Sequence, residues 1–294
     1  MTTSLSLLAA TDLSAPSRHA AQRAAMLARE VGGKLDLVCV LGAGTLSELR
    51  QLLGDKSAEI ERQIRLQAQQ ALDQLTTDIS ELYGVSPRCH LAEGAVLAAI
   101  LNQANVLGTD LLVVGARGAS FMRHWLLGAT AERLLRKTHL PILVVKQAPH
   151  EAFKSVLIPV DFSPWSVRAI KLAQELCPQA HLILLHACEV PFEGKMRYAG
   201  VDAATIQHYR ETIGQEAMAR LHELAADRQL GAEKWRPLVV HGDPAHCILE
   251  QEEERAADLI VLGKHGASMT EELLLGSVTK HVLGQTRADV LVIN

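Results

Sequence analysis

The sequence predicts an α/β fold of two tandem, doubly wound domains, and three observations point there. Its most hydrophobic runs, such as Leu111-Leu112-Val113-Val114 and Leu259-Ile260-Val261-Leu262, are apolar on consecutive residues, the mark of strands covered on both faces of a parallel sheet. Between such runs lie stretches whose apolar residues recur at spacings of three and four, as in amphipathic helices. The whole pattern then occurs twice: Gly115, Gly118 and Gly128 return as Gly263, Gly266 and Gly276, each 148 positions later. A period of that length lets each copy bury its own core, whereas one of roughly 20 to 50 residues would indicate a solenoid. The expected domains are residues 1–147 and 152–294. The boundary Gln147-Ala148-Pro149-His150-Glu151 is polar, contains proline and is too short to let the halves drift apart.

Within each copy the elements follow one order. Leu5 to Ala10 and Val156 to Val160 read as first strands, ending at Asp12 and Asp161. Ser14 with Pro16, and Ser163 with Pro164, then give the cap-and-proline signal that opens a helix. Its apolar stripe is Ala20, Ala24, Leu27 and Val31 in one copy, and Val167, Ile170 and Ala173 in the other. Second strands run from Leu35 to Leu41 and from Leu182 to Ala187. The longest helices come next, with stripes through Ile60, Ile64, Ala68, Leu72, Leu75, Ile79 and Leu82, and through Ile206, Tyr209, Ile213, Ala217, Leu221 and Leu224. These stripes are expected to face the core. A third strand leads to Gly94 or Gly242, a helix lies around Ile100 or Ile248, and the fourth strand, the glycine loop and a final helix follow. Ile142-Leu143-Val144-Val145 and Val290-Leu291-Val292-Ile293 close the two copies.

Composition narrows the function classes. Hydrophobic residues make up 48% of the chain and aromatics 3%, a balance that suits helices packed on a sheet. No apolar run approaches a bilayer span, and Met1-Thr2-Thr3-Ser4 lacks the charged head and apolar core of a secretory signal, so a cytoplasmic chain is expected, with no membrane partner. A net charge of −4 gives no reason to expect nucleic acid as a partner. That sum hides an asymmetry, since residues 1–147 carry +2 and residues 148–294 carry −6. Five cysteines without a Cys-x-x-Cys pair read as small buried residues. The histidines lack metal-site company, no Gly-x-Ser-x-Gly elbow occurs, and Cys89 and His90, adjacent in a strand, point to opposite faces. No catalytic residue and no metal ligand is assigned.

In open α/β sheets ligands bind beyond the carboxyl ends of strands, where the strand order reverses. Asp12 and Asp161 end first strands, and the glycine loops end fourth strands. If those strands are neighbours, a carboxylate and a phosphate-type loop meet in each crevice. Gly263 and Gly266 lack Cβ atoms, so backbone N–H groups can approach an anion and the chain can take positive φ. Gly276 precedes Ser277, Val278 and Thr279 at a helix start, which offers unpaired N–H groups, the positive end of the macrodipole and two hydroxyls. Asp161 is placed to accept from an adenine amino group or a ribose hydroxyl. The same acid, and Asp12 in the other copy, has an alternative role in capping the next helix.

The chain resembles the universal stress protein family in its tandem form. The resemblance rests on Ile158-Pro159-Val160-Asp161-Phe162-Ser163, His241-Gly242-Asp243-Pro244, Ala257-Asp258-Leu259-Ile260-Val261-Leu262-Gly263-Lys264-His265-Gly266 and Leu273-Leu274-Leu275-Gly276-Ser277-Val278-Thr279. It implies a five-stranded parallel sheet of order 3-2-1-4-5 in each domain and intramolecular pairing of the domains through their last strands. It also implies ATP or another adenine nucleotide, with or without Mg²⁺, in members that keep the glycine motif. The implied role is stress survival and signalling without a well-defined reaction. On this resemblance Asp161 contacts adenine, Pro159 and Val160 line the base pocket, and Gly263, His265, Gly266, Gly276, Ser277 and Val278 form the phosphate and ribose segment.

The first half keeps Asp12, Gly115, Gly118 and Gly128, but Ala10 replaces the proline and Ala129 the small hydroxyl residue, leaving Thr130 one position late. Arg117, Arg123 and His124 make its loop the more basic, while Glu271 and Glu272 in the second loop either face water or repel a triphosphate. Charge thus favours the first half and hydroxyl geometry the second. Three function classes stay open: a nucleotide-binding stress or signalling module, a scaffold that binds another small ligand or a protein, and a slow ATPase, with weak hydrolysis the most that the residues support. A homodimer beyond the internal pair also stays open.

Overall fold

The apolar runs become strands and the periodic stripes become helices, in matching order in the two halves. The computed structural model describes residues 4–44, 57–118, 127–189, 192–264 and 275–294. The first half holds β1 (Ser6–Thr11), α1 (Ala15–Val31), β2 (Lys34–Gly42), α2 (Ser57–Tyr83), β3 (Arg88–Gly94), α3 (Val96–Leu107), β4 (Leu111–Gly115), α4 (Ala129–Lys137) and β5 (Ile142–Val145). The second holds β6 (Ser155–Pro159), α5 (Pro164–Leu176), β7 (His181–Cys188), α6 (Glu193–Tyr198), α7 (Ala203–Asp227), β8 (Trp235–His241), α8 (Pro244–Glu254), β9 (Leu259–Gly263), α9 (Ser277–Gln285) and β10 (Asp289–Ile293). The short helix α6 has no counterpart in the sequence reading.

All ten strands form one sheet in the order β3-β2-β1-β4-β5-β10-β9-β6-β7-β8. Each half is therefore a parallel sheet of order 3-2-1-4-5. The halves meet through β5 and β10, which pair antiparallel with Leu143 opposite Leu291. Strand residues alternate between two cores, as the pleat requires. Leu7, Val113, Ile158 and Val261 pack under α1, α2, α5 and α7, and Leu8, Leu112, Leu157 and Ile260 pack under α3, α4, α8 and α9. Because β1 lies beside β4, and β6 beside β9, the reversal point falls between those strands in each half.

The expected core stripes are only partly core: Leu82 is 65% exposed and Tyr209 41%, and Val31, Ile60, Ile64, Val167 and Ile213 are half-buried. At the end of α2 it is Tyr83 that packs on the core, and between Ile206 and Ala217 α7 buries no residue. The cysteines are all free thiols, and all but Cys89 are buried.

Polar groups also tie the halves. Arg23 Nε lies 3.2 Å from Asp289 Oδ2, and its guanidinium donates to the Glu151 carbonyl at 2.7 Å. Lys146 donates through Nζ to the Leu283 and Thr286 carbonyls at 2.7 and 2.8 Å, where a cation favours the end of α9. Burial pulls the Lys146 pKa down to about 8, with Glu252 and Asp289 opposing the shift and Arg117 adding to it. Burial raises the Asp289 carboxyl, against the bonds it accepts from Lys146, Gln147 and Arg23.

Candidate functional site

The second-half crevice begins at the turn after β6. Phe162 takes φ 61°, and Leu13 takes φ 64° at the matching place after β1. Left-handed backbone at a bulky residue is uncommon and costs of order 1–3 kcal/mol, so both turns are held by their surroundings. Asp161 Oδ1 accepts from the Ser163 N–H at 3.0 Å and from the Ser163 and Ser166 hydroxyls at 2.6 Å each. In the first half Asp12 Oδ1 accepts from the Ser14 N–H at 3.1 Å. These bonds correct the cap assignments: Ser14 and Ser163 are N-caps whose side chains make no cap hydrogen bond, because each hydroxyl turns back to its aspartate. Neither aspartate is itself the cap residue. Each closes the turn and fixes the plane of its own carboxylate.

The glycines serve close approach. None of Gly115, Gly118, Gly128, Gly263 and Gly276 has positive φ, so the left-handed freedom expected of Gly263 is not used. A Cβ on Gly118 would stand 2.7 Å from Asp12 Oδ2, and one on Gly115 would stand 2.9 Å from the Pro16 carbonyl oxygen. The loop thus lies against both the acid and the first helix. Two amides of the motif are spent internally, Gly128 N–H on the Ala116 carbonyl at 2.8 Å and Gly276 N–H on the Lys264 carbonyl at 2.9 Å. Beyond Gly276 the first N–H to bond back is that of Lys280, to the Gly276 carbonyl, so those of Ser277, Val278 and Thr279 precede the intrahelical ladder. Thr279 is buried and its hydroxyl donates to the Gly263 carbonyl at 2.8 Å, which pins the strand end.

Six of the residues singled out in the second half, Pro159, Val160, Asp161, Gly263, Val278 and Thr279, line one cavity of about 210 Å³. Gly276 and Ser277 do not line it. Ser277 is exposed and borders a neighbouring cavity between α4 and α9. His265, Gly266, Arg123, His124, Glu271 and Glu272 lie outside the described residues. In the first half Thr130 is exposed on the first turn of α4. There Thr11 stands in place of Val160 and bonds Ser17 at 2.9 Å, and Cys39 stands in place of His186 in the strand register.

The cavity walls also include Trp165, Leu185, His186, Pro244 and Ile248, which sequence reasoning did not select. His186 Nδ1 donates to the Val160 carbonyl at 2.6 Å, and its ring lies 4.6 Å from that of Phe162, between centroids. The Phe162 ring in turn lies 3.8 Å from the Arg220 guanidinium carbon. These contacts orient the imidazole and leave Nε2 as its other polar atom. The available signal was the parallel register of β6 and β7, which sets His186 beside the end of β6.

Chemically the crevice offers a mainly aliphatic slot with a carboxylate, an imidazole and a helix start at its edges. It is smaller than the roughly 300–1000 Å³ of sites that enclose a whole ligand, so it suits a flat ring with its polar substituents lying outside. Among the described residues no group of three His, Cys, Asp or Glu side chains is placed to hold a metal ion. No helix of the described residues is long and apolar enough to cross a membrane.

The profile of the universal stress protein family matches this chain twice, over residues 5–146 and 152–294. The chain belongs to that family. A universal stress protein of Mycolicibacterium smegmatis is 27% identical over 245 residues, which cover 79% of this chain and 77% of that one. Universal stress protein MJ0577 of Methanocaldococcus jannaschii is 27% identical over 153 residues, 48% of this chain and 94% of its own. A solved universal stress protein from Archaeoglobus fulgidus has the same fold, with a TM-score of 0.69 at 22% identity over 98% of each chain. In this universal stress protein Asp161 and Gly263 thus line one cavity beside the reversal point between β6 and β9.

Proposed function

We propose that this universal stress protein is a cytoplasmic stress-response or signalling module that binds an adenine nucleotide of the ATP type in its second half. Residues 1–147 and 152–294 are read as its two domains. The observation that carries the reading is the slot bounded by Pro159, Val160, His186 and Val278, with Asp161 at one edge and the start of α9 at the other. Adenine suits the aliphatic slot, and Asp161 and His186 Nε2 suit its amino and ring nitrogens or the ribose. The phosphates, with or without Mg²⁺, would lie over the N–H groups of Ser277 and Val278. The second half is preferred because Pro159, Val160 and Ser277 are replaced by Ala10, Thr11 and Ala129 in the first.

Equilibrium binding of fluorescently labelled ATP to the full chain tests this. Gly276→Asp places a carboxylate where phosphate is expected, at a cap position that favours aspartate, and binding should fall at least tenfold. Gly128→Asp should leave it unchanged. Equal loss in both variants would assign nucleotide to both halves, and loss in Gly128→Asp alone would move the site to the first. Absence of saturable binding by the parent chain would leave the scaffold reading, which the internally bonded Gly276 amide and Thr279 hydroxyl favour. Phosphate release with Mg²⁺ no faster than the buffer blank would remove the ATPase reading.

A further inference from the structure

The likeness of the halves breaks at their junction, and the break opens space. On one side Lys264, 4% exposed, reaches across the junction to place Nζ 3.4 Å from the Arg136 carbonyl oxygen at the end of α4. By the offset of 148 the counterpart of Lys264 is Ala116, and that of Arg136 is Gly284. Both counterparts are small. Two cavities lie there, of about 650 and 520 Å³, and they share Leu127, Leu283 and Gly284 in their walls. They therefore form one groove along α9. Each volume lies within the roughly 300–1000 Å³ of small-molecule sites, and neither cavity shares a lining residue with the crevice at Pro159 and Val278.

One end of this groove is cationic. Arg117, Lys146 and Arg287 line it with His19, and its described lining residues include no carboxylate. Lys146 is held there by two carbonyls at the end of α9, and the depression of its pKa by burial and by Arg117 is the kind of shift that a nearby anion relieves. The middle is mainly apolar, with Leu127, Leu275 and Leu283 around Gly284, and its one described carboxylate, Glu132, is ion-paired with Arg136 at 2.7 Å. At the far rim His281 keeps a buried Nε2 with no hydrogen-bond partner among the described residues.

We propose that the groove binds a small organic anion, with its acidic head held by Arg117, Lys146 and Arg287 and its apolar body lying over Leu127, Leu283 and Gly284. Its walls come from both halves and from the segment joining them, so a bound molecule bridges the junction. The proposal does not depend on nucleotide binding in the other crevice.

The probe is 8-anilinonaphthalene-1-sulfonate, an aromatic sulfonate, titrated into the full chain and followed by fluorescence. Saturable binding is expected, weakening as salt rises. An added Cβ at Gly284 meets nothing within 4 Å, so Gly284→Leu should fill the groove without disturbing the fold and weaken binding at least tenfold. Replacing Arg117 and Arg287 together by alanine should do the same, with thermal melts showing that both variants remain folded. Val278→Trp, which fills the separate crevice, should leave the affinity as it was. Hexyl phosphate and hexanoate, added as competitors, distinguish a phosphate from a carboxylate head, and displacement by either supports the site. The proposal is overturned if the parent shows no saturable binding, if either groove variant binds like the parent, if Val278→Trp alone abolishes binding, or if neither competitor displaces the probe.

Discussion

Replacing Arg23 by alanine should destabilise the fold by about 3–5 kcal/mol, because breaking a buried pair leaves a charge uncompensated. Asp289 is 3% exposed, and Arg23 is its ion-pair partner at 3.2 Å. In the variant Asp289 would keep the Lys146 N–H, 2.8 Å from Oδ1, but no cation at Oδ2. The guanidinium also lies over the Phe153 ring, 4.1 Å from its centroid, and that packing is lost with it. At roughly 2–4 °C per kcal/mol for chains of this order of size, the melting midpoint should fall by about 6–20 °C. A pH dependence should accompany the loss. Burial already raises the Asp289 pKa, and without Arg23 it rises further, so the folded variant binds a proton that the unfolded chain does not. Stability of the variant then falls as pH climbs through the raised pKa, and the deficit should be smaller at pH 5 than at pH 7. Urea denaturation of the parent, Arg23→Ala, Asp289→Asn and the double variant at both pH values measures the loss and the coupling. A loss below about 1 kcal/mol, or a deficit that does not change with pH, would refute the reasoning.

Lys146 should titrate near pH 8, as its burial implies. Its folded pKa lies below the ordinary lysine value, so its contribution to stability is flat below pH 8 and rises with pH until the unfolded lysine also deprotonates; NMR of labelled lysine and the loss of that slope in Lys146→Met check both points. Gly115→Ala should cost more than Gly118→Ala, each within about 1–3 kcal/mol. The first sets a Cβ against the Pro16 backbone, whereas the second meets a side-chain oxygen, which can give way at the cost of the Asp12 turn bond to Ser14, and equal melting midpoints would contradict this. Gly284→Ala should stabilise the chain by up to about 1 kcal/mol, since the site is inside a helix and has open space beside it. Thermal melts read that gain directly.

Much of the architecture was legible because burial on both faces writes strands as unbroken apolar runs. Leu111 to Val114 and Leu259 to Leu262 are strand residues in the structure as in the sequence. Helix α6 was not legible, since six residues around Met196 are too few to carry a period. The strand order came from the family resemblance, as spacing along a chain does not fix which strands pair. In the candidate site, Asp161, Gly263 and Val278 line one cavity. His186 escaped notice because it reaches the crevice only through the register of β6 and β7. The glycines were found for an incomplete reason. At Gly115 and Gly118 the φ angles are ordinary, and what a side chain would meet is an atom from a distant segment, which no local pattern records.

The zippering of β5 to β10 leaves the ten-strand ribbon with two outer rims, β3 and β8. A rim of unpaired amides invites an incoming strand unless something guards it. One rim carries Arg88, ion-paired with Asp36, and Glu93, ion-paired with Arg65; the other carries Pro237, which has no N–H to offer a newcomer. Both rims thus carry devices that discourage the addition of a further strand.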